Sequence, residues 1–221
     1  MKSSHRIIHD ISKLLSSLFK GIILSLLFIF ANIVLFVFMI TFKDPDGVIA
    51  TIGTVILALG VYPAFCAILY AARKDSNLIQ SFVYYYRTHY KVLYQLSAIF
   101  LGAFVVLVVD GIYFKTRSNL FLKDVFTGLA LLVVVYSLNT ALVVSSFEAP
   151  LKKVLITSFA YTKELTGASL VSLVMMVLPF KLGPLIYLLV IGLAALIQTV
   201  LYRKTYHLML EKITDPSIKY L

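Results

Sequence analysis

Long apolar runs separated by short charged connections dominate this chain. Six such stretches can be drawn: about Gly21 to Phe42, Val48 to Ala72, Val92 to Phe114, Phe121 to Phe147, a fifth that begins between Ala160 and Gly167 and ends at Phe180, and Pro184 to Tyr202. Runs of about 18 or more residues with few or no charges are read as transmembrane helices, since about 20 residues rising 1.5 Å each match a hydrocarbon core about 30 Å thick. The fifth run is the shortest clean one, because Lys163 and Glu164 limit one end and only Leu165 to Phe180 is free of charge. The pattern predicts an all-α fold, a polytopic membrane helix bundle of six transmembrane helices forming one domain over residues 21–202.

The flanks and long connections carry a different period. In residues 1–20, Ile7, Ile8, Ile11, Leu14, Leu15 and Leu18 fall on one helical face, and Arg6, His9, Lys13, Ser16 and Lys20 on the other. That spacing predicts a cytoplasmic amphipathic helix on the inner leaflet, with no cleavable secretory signal; a plain helical start of the first span is the alternative. The stretch "SFVYYYRTHYKVLYQL", Ser81 to Leu96, behaves similarly. "DSN", Asp75 to Asn77, offers helix N-caps before it. Ile79, Phe82, Val83, Tyr86, Tyr90 and Leu93 then share one face, and Gln80, Tyr84, Arg87 and Lys91 the opposite one. An interfacial amphipathic helix is expected from about Leu78, continuous or nearly so with the third span. Residues 203–221 are expected to form a cytoplasmic tail.

Composition and charge sharpen the picture. Hydrophobic residues make up 61% of the chain, the mean hydropathy is +0.97 and only 14% of residues are charged, against about 25% in soluble domains. The net charge of +10 and the interleaved tyrosines would suit stacking on nucleic-acid bases, but a membrane boundary explains rings and charges together, so no nucleic-acid partner is expected. The chain has no Trp, which leaves Tyr to form the boundary belt. Fifteen of the twenty Lys and Arg lie in the N-terminal segment, the connections 73–91 and 148–164, and the C-terminal segment. The positive-inside rule places these, and both termini, in the cytoplasm of a multi-pass cell-membrane protein facing an anionic inner leaflet.

Conventional catalytic chemistry is thin. Cys66 is the sole cysteine; His5 and His9 stand four residues apart, but His89 and His207 are remote from them in sequence, and no metal site is expected. No phosphate-cradling Gly loop, HExxH or GxSxG occurs, so neither an enzyme nor a cofactor is expected. Polar residues within the spans are the better candidates. Asp110, in "LVVDGIYF", reads as a helix-end acid paired with Lys115 or Arg117, or as a substrate or ion site. Asn32, Asn139 and Gln198 suit interhelical hydrogen bonds. Tyr62 and Pro63, in "GVYPAF", are expected to mark a kink in the second helix after Gly60.

"YPAFCAILYAARK", Tyr62 to Lys74, resembles the aromatic-Pro-Ala segment of the YesL-like family of small bacterial membrane proteins. "FVYYYRTHYKVLYQ", Phe82 to Gln95, is similar to that family's next block, matching it at Phe82, Tyr86, Arg87, Tyr90, Lys91 and Gln95; His89 stands where Asn is frequent. "VVDGIYF", Val108 to Phe114, resembles the end of the same span. The resemblance covers about Gly60 to Phe114, and the later half matches only in layout. It implies an accessory or regulatory component of carbohydrate uptake by an ABC transporter, with sugar permease and ATPase subunits as partners and no catalytic residue. "FEAPLKKVL" opens a connection with Glu148 and Ala149, like the Glu-Ala-Ala loop on which sugar permeases dock their ATPase, although Pro150 replaces the second Ala. The docking face is expected in the connections 73–91 and 148–164, with Tyr84, Tyr85, Arg87 and Lys91 as anchors. The alternative is a small stand-alone carrier or channel using Asp110 and the Pro63 kink; a membrane enzyme has no acid, base or metal constellation behind it.

Overall fold

A computed structural model describes residues 2–41, 48–74, 77–147, 150–177 and 184–214. Among these the chain is helical throughout: α1 (Lys2–Ala31), α2 (Ile33–Thr41), α3 (Val48–Ala58), α4 (Val61–Arg73), α5 (Leu78–Thr116), α6 (Leu120–Val144), α7 (Leu151–Ala160), α8 (Thr162–Val177) and α9 (Pro184–Thr214). The expected all-α architecture is observed. Three helical stretches among the described residues are long and apolar enough to cross a membrane: Ile52–Arg73, Leu78–Thr116 and Leu120–Val144. Leu15–Ala31 and Val190–Arg203 are shorter apolar segments. α1 passes residue 20 and α9 passes residue 202 without interruption.

The packing is that of a bundle surrounded by apolar solvent. Phe30 is 76% exposed and Phe121 75%, with Val34, Leu132, Val106 and Ile112 also open. Asn139, Thr140, Ser169, Ser172 and Gln198 are buried between helices. In water this distribution would be inverted; in lipid it is what the solvent demands.

α4 is the central element. It packs against α1, α5, α6 and α9, and Pro63 through Leu69 are buried all round the helix. Its small residues Ala64, Cys66, Ala67 and Ala71 let neighbouring backbones come close, the usual means of packing where lipid and side chains are equally apolar. The closest approach is between α1 and α9. Gly192 N–H donates to Ser25 Oγ at 2.7 Å, and a Cβ added to Gly192 would run into the Gly21 carbonyl.

Two helix breaks face each other. α1 gives way at Asn32, whose Nδ2 donates to its own chain at Phe28 O, 2.9 Å. A short polar side chain that competes for backbone partners weakens a helix in this manner. α3 gives way at Leu59 and Gly60, whose N–H groups bond only three residues back, to Ile56 O and Leu57 O. The cause is Pro63, which has no N–H to offer the Leu59 carbonyl four residues earlier. Ser97 of α5 supplies the missing donor, its Oγ bonding Leu59 O at 2.8 Å. The expected kink after Gly60 is therefore present, and a neighbouring helix satisfies the carbonyl it frees.

α5 runs 39 residues without a break, about 58 Å at 1.5 Å per residue. Asn77 caps it, its Oδ1 accepting from the N–H of Ile79 (3.1 Å) and Gln80 (3.4 Å); Asp75 and Ser76, the other expected caps, lie outside the described residues. The turn into α6 contains Ser118 at φ 57°, and Asn119 caps α6 through Leu122 N–H at 3.1 Å.

Candidate functional site

The bundle has one strongly basic end, where α4 and α6 finish, α5 begins and α9 passes. Arg73, in the last turn of α4, organises it. Its Nε donates to Leu69 O at 3.2 Å, and its Nη1 and Nη2 donate to the Ser146 and Ser145 hydroxyls beyond α6. Those hydroxyls give their own protons to the terminal carbonyls of α6: Ser145 Oγ donates to Ala141 O at 2.6 Å, and Ser146 Oγ to Leu142 O. Their lone pairs are thus left to face the guanidinium. The same cation stands 5.7 Å from the centroid of the Tyr202 ring on α9. Arg73 therefore ties three helices at a point where the C-terminal dipoles of α4 and α6 favour positive charge.

Tyr85 completes this corner. It is 2% exposed, its hydroxyl donates to Val144 O at 2.8 Å, and its ring stacks at 4.5 Å on both Tyr70 and His89. Val144 is the last residue of α6, so Tyr85 satisfies one of the carbonyls that a helix end leaves without an internal partner. The expectation of Tyr85 as a surface anchor is corrected: it is a core residue.

The face assignment along Leu78 to Leu93 is corrected with it. Phe82 and Leu93 are buried and Tyr86 is half-buried, but Ile79, Val83 and Tyr90 are exposed. The row that meets the bundle is Phe82, Tyr85, His89, Leu93 and Leu96. Because α5 is one helix, this segment continues the axis of the long apolar span instead of turning aside from it. Tyr84, 56% exposed, projects outward with Arg87 and Lys91. Tyr84 and Arg87 line a shallow groove with Ile79, Gln80, Val83 and Thr88.

Tyr62 and Pro63 belong to the packing at the kink. The Tyr62 ring lies 5.6 Å from that of Phe100, and both border a cavity of about 450 Å³ lined chiefly by α4, α5 and α6, with Phe28, Leu35, Phe36, Ala58 and Ile191 closing it from the neighbouring helices. Its lining is aromatic and aliphatic, with Ser97 and Ser137 and the Tyr62 hydroxyl as its polar groups. Asp110 is half-buried on α5 and lines none of the cavities described here. Among the described residues it makes no ion pair with Lys115 or Arg117; Arg117 instead stands 5.5 Å from the Tyr113 ring centroid. Glu148 lies outside the described residues.

The neutral polar residues divide. Ser169 Oγ donates to Asn139 Oδ1 at 2.6 Å, and Gln198 Nε2 reaches Ser169 Oγ at 3.5 Å, so α6, α8 and α9 share a buried polar junction of the kind expected for Asn139 and Gln198. Asn32 instead bonds within its own helix. Among the described residues no group of His, Cys, Asp or Glu is arranged to hold a metal.

A second cavity, of about 610 Å³, opens beside Arg73 at the basic end. Lys74, Arg203 and His207 share its lining with Ser145, Ser146 and Tyr202. The sequence did not single out Arg73, because its partners lie more than seventy positions away and no local spacing encodes such a contact. Comparison of the chain with family models, with curated proteins and with solved structures finds no match.

Proposed function

We propose that this chain is a six-span protein of the cell membrane with both termini in the cytoplasm, and that it docks a partner on its basic end as an accessory subunit of carbohydrate uptake. The sugar-uptake assignment rests on the resemblance to YesL-like proteins over Gly60 to Phe114. The observation that carries the docking role is the division of polarity. Tyr84, Arg87 and Lys91 face outward, whereas the cavity inside the long helices is apolar. A pathway for a sugar would need polar groups to replace the solute's hydration, and that cavity offers two serines and one phenol. Tyr and Arg are also the side chains that most often anchor interfaces.

The topology is tested by labelling. In a Cys66→Ala background, a cysteine replacing Thr116 should react with an impermeant thiol reagent on intact cells, and one replacing Lys152 should react only after the cells are opened. The reverse pattern would put the basic end outside and end the docking proposal.

The partner is tested by purification from native membranes. The parent chain should bring permease and ATPase subunits with it, and Tyr84→Ser combined with Arg87→Gln should reduce their recovery at least about tenfold, the scale of an interface anchor. Full retention by the variant, or no partner with the parent, moves the stand-alone carrier ahead.

A further inference from the structure

The cavity beside Arg73 holds positive charge that the described residues do not neutralise. Arg73, Lys74 and Arg203 all line it, with His207, and no Asp or Glu among the described residues does. Lys74 Nζ is held at its edge, 5.4 Å from the Tyr70 ring centroid. Arg73 uses three of its N–H groups, on Leu69 O, Ser145 and Ser146. A guanidinium has five, so two remain without a partner among the described residues. Arg73 is half-buried, while Lys74, Arg203 and His207 stand exposed around it; a guanidinium partly withdrawn from water is ordinarily paired, and no carboxylate among the described lining residues pairs it.

We propose that this cavity binds a phosphate group carrying uncompensated negative charge, supplied by an anionic phospholipid headgroup or by free phosphate. The planar donors of Arg73, with the ammonium of Lys74 and the guanidinium of Arg203, match the several acceptor oxygens of a phosphate. The wall fits a lipid as well. Val200, which is 71% exposed, lines the cavity, and Ile197 and Leu201 next to it on α9 are open, so an acyl chain has apolar surface to follow from the cavity along the bundle. Basic pockets between helices bind headgroups on this physical basis. The site stands apart from the docking face: it lies between α4, α6 and α9, whereas Tyr84, Arg87 and Lys91 are on the outward side of α5.

The test uses the full chain purified in an uncharged detergent. Phosphatidylglycerol should raise the thermal unfolding temperature and bind at least about tenfold more tightly than phosphatidylcholine, whose choline cancels the phosphate charge. Lys74→Gln with Arg203→Gln, both exposed positions, should weaken phosphatidylglycerol at least about tenfold, the scale of one lost charge-assisted hydrogen bond, and leave the lipid-free unfolding temperature unchanged. Should the double variant not fold, the two single variants carry the same comparison. Inorganic phosphate that alone stabilises the protein and displaces the lipid assigns the site to free phosphate; stabilisation by the lipid that phosphate does not reproduce assigns it to the headgroup. Equal binding of the two lipids with no response to phosphate overturns the proposal. So does undiminished binding by the variants. Binding seen only after Glu148→Gln overturns it too, because the cavity's anion would then be the chain's own carboxylate.

Discussion

Gly192→Val should destabilise the bundle severely. A side chain there meets the Gly21 backbone carbonyl and, at 2.8 Å, Ser25 Oγ, and no rotamer change moves a backbone. α1 and α9 must therefore separate, which breaks the Gly192 N–H to Ser25 bond and opens the packing along both helices. Overpacking a core costs about 1–3 kcal/mol when side chains can yield; here about 3 kcal/mol or more is expected, a large part of a typical total stability of about 5–15 kcal/mol. The measurement is thermal unfolding in detergent with size-exclusion profiles. Gly102→Ala and Gly128→Ala are the controls, since an added Cβ meets nothing within 4 Å at either position and a helix gains up to about 1 kcal/mol from Ala over Gly. A Gly192→Val protein that melts with the parent would refute the close crossing.

Tyr84 and Tyr85, adjacent in sequence, should separate cleanly. Tyr85→Ser removes a ring stacked on two others and the donor to Val144 O; truncations of buried aromatics cost about 3–5 kcal/mol. Tyr85→Phe isolates the hydrogen bond, and leaving a buried acceptor without its donor costs about 1–3 kcal/mol. Tyr84→Ser, on the exposed side, should change stability by no more than about 0.5 kcal/mol. Unfolding curves of the three variants decide the matter. Equal losses for Tyr84→Ser and Tyr85→Ser would mean that the described orientation of α5 is wrong.

These two tyrosines also mark the boundary of what periodicity conveys. The Asn77 cap and the Pro63 break were legible, because their causes are local: Asn77 caps α5 with its own side chain, and Pro63 frees the carbonyl four residues before it; the break at Asn32, read as an interhelical partner, and the Asn119 cap were not. The inward face of Leu78 to Leu93 was not. A period of 3.6 separates apolar from polar positions, but a helix in lipid has two apolar sides, one against its neighbours and one against acyl chains, and Ile79 and Val83 are as apolar as Phe82 and Leu93. Arg73 was read only as one positive charge among fifteen on its side, and its contacts with Ser145, Ser146 and Tyr202 join helices that sequence distance keeps apart. The Gly21–Gly192 crossing was hidden for the same reason.

The unbroken length of α5 has a mechanical consequence. A single helix of 39 residues is about twice as long as a 30 Å hydrocarbon core requires, so its basic end is the arm of a lever whose fulcrum lies in the bilayer. Tyr84 sits about 20 residues, or about 30 Å, from the middle of the apolar part, and a tilt of about 10° carries it sideways by about 5 Å. Helices adjust their tilt to the thickness of the surrounding bilayer. With no flexible joint between span and arm to absorb the rotation, a change in membrane thickness that tilts α5 displaces Tyr84 by more than a side chain's contact distance of about 4 Å, and Arg87 and Lys91 by progressively less.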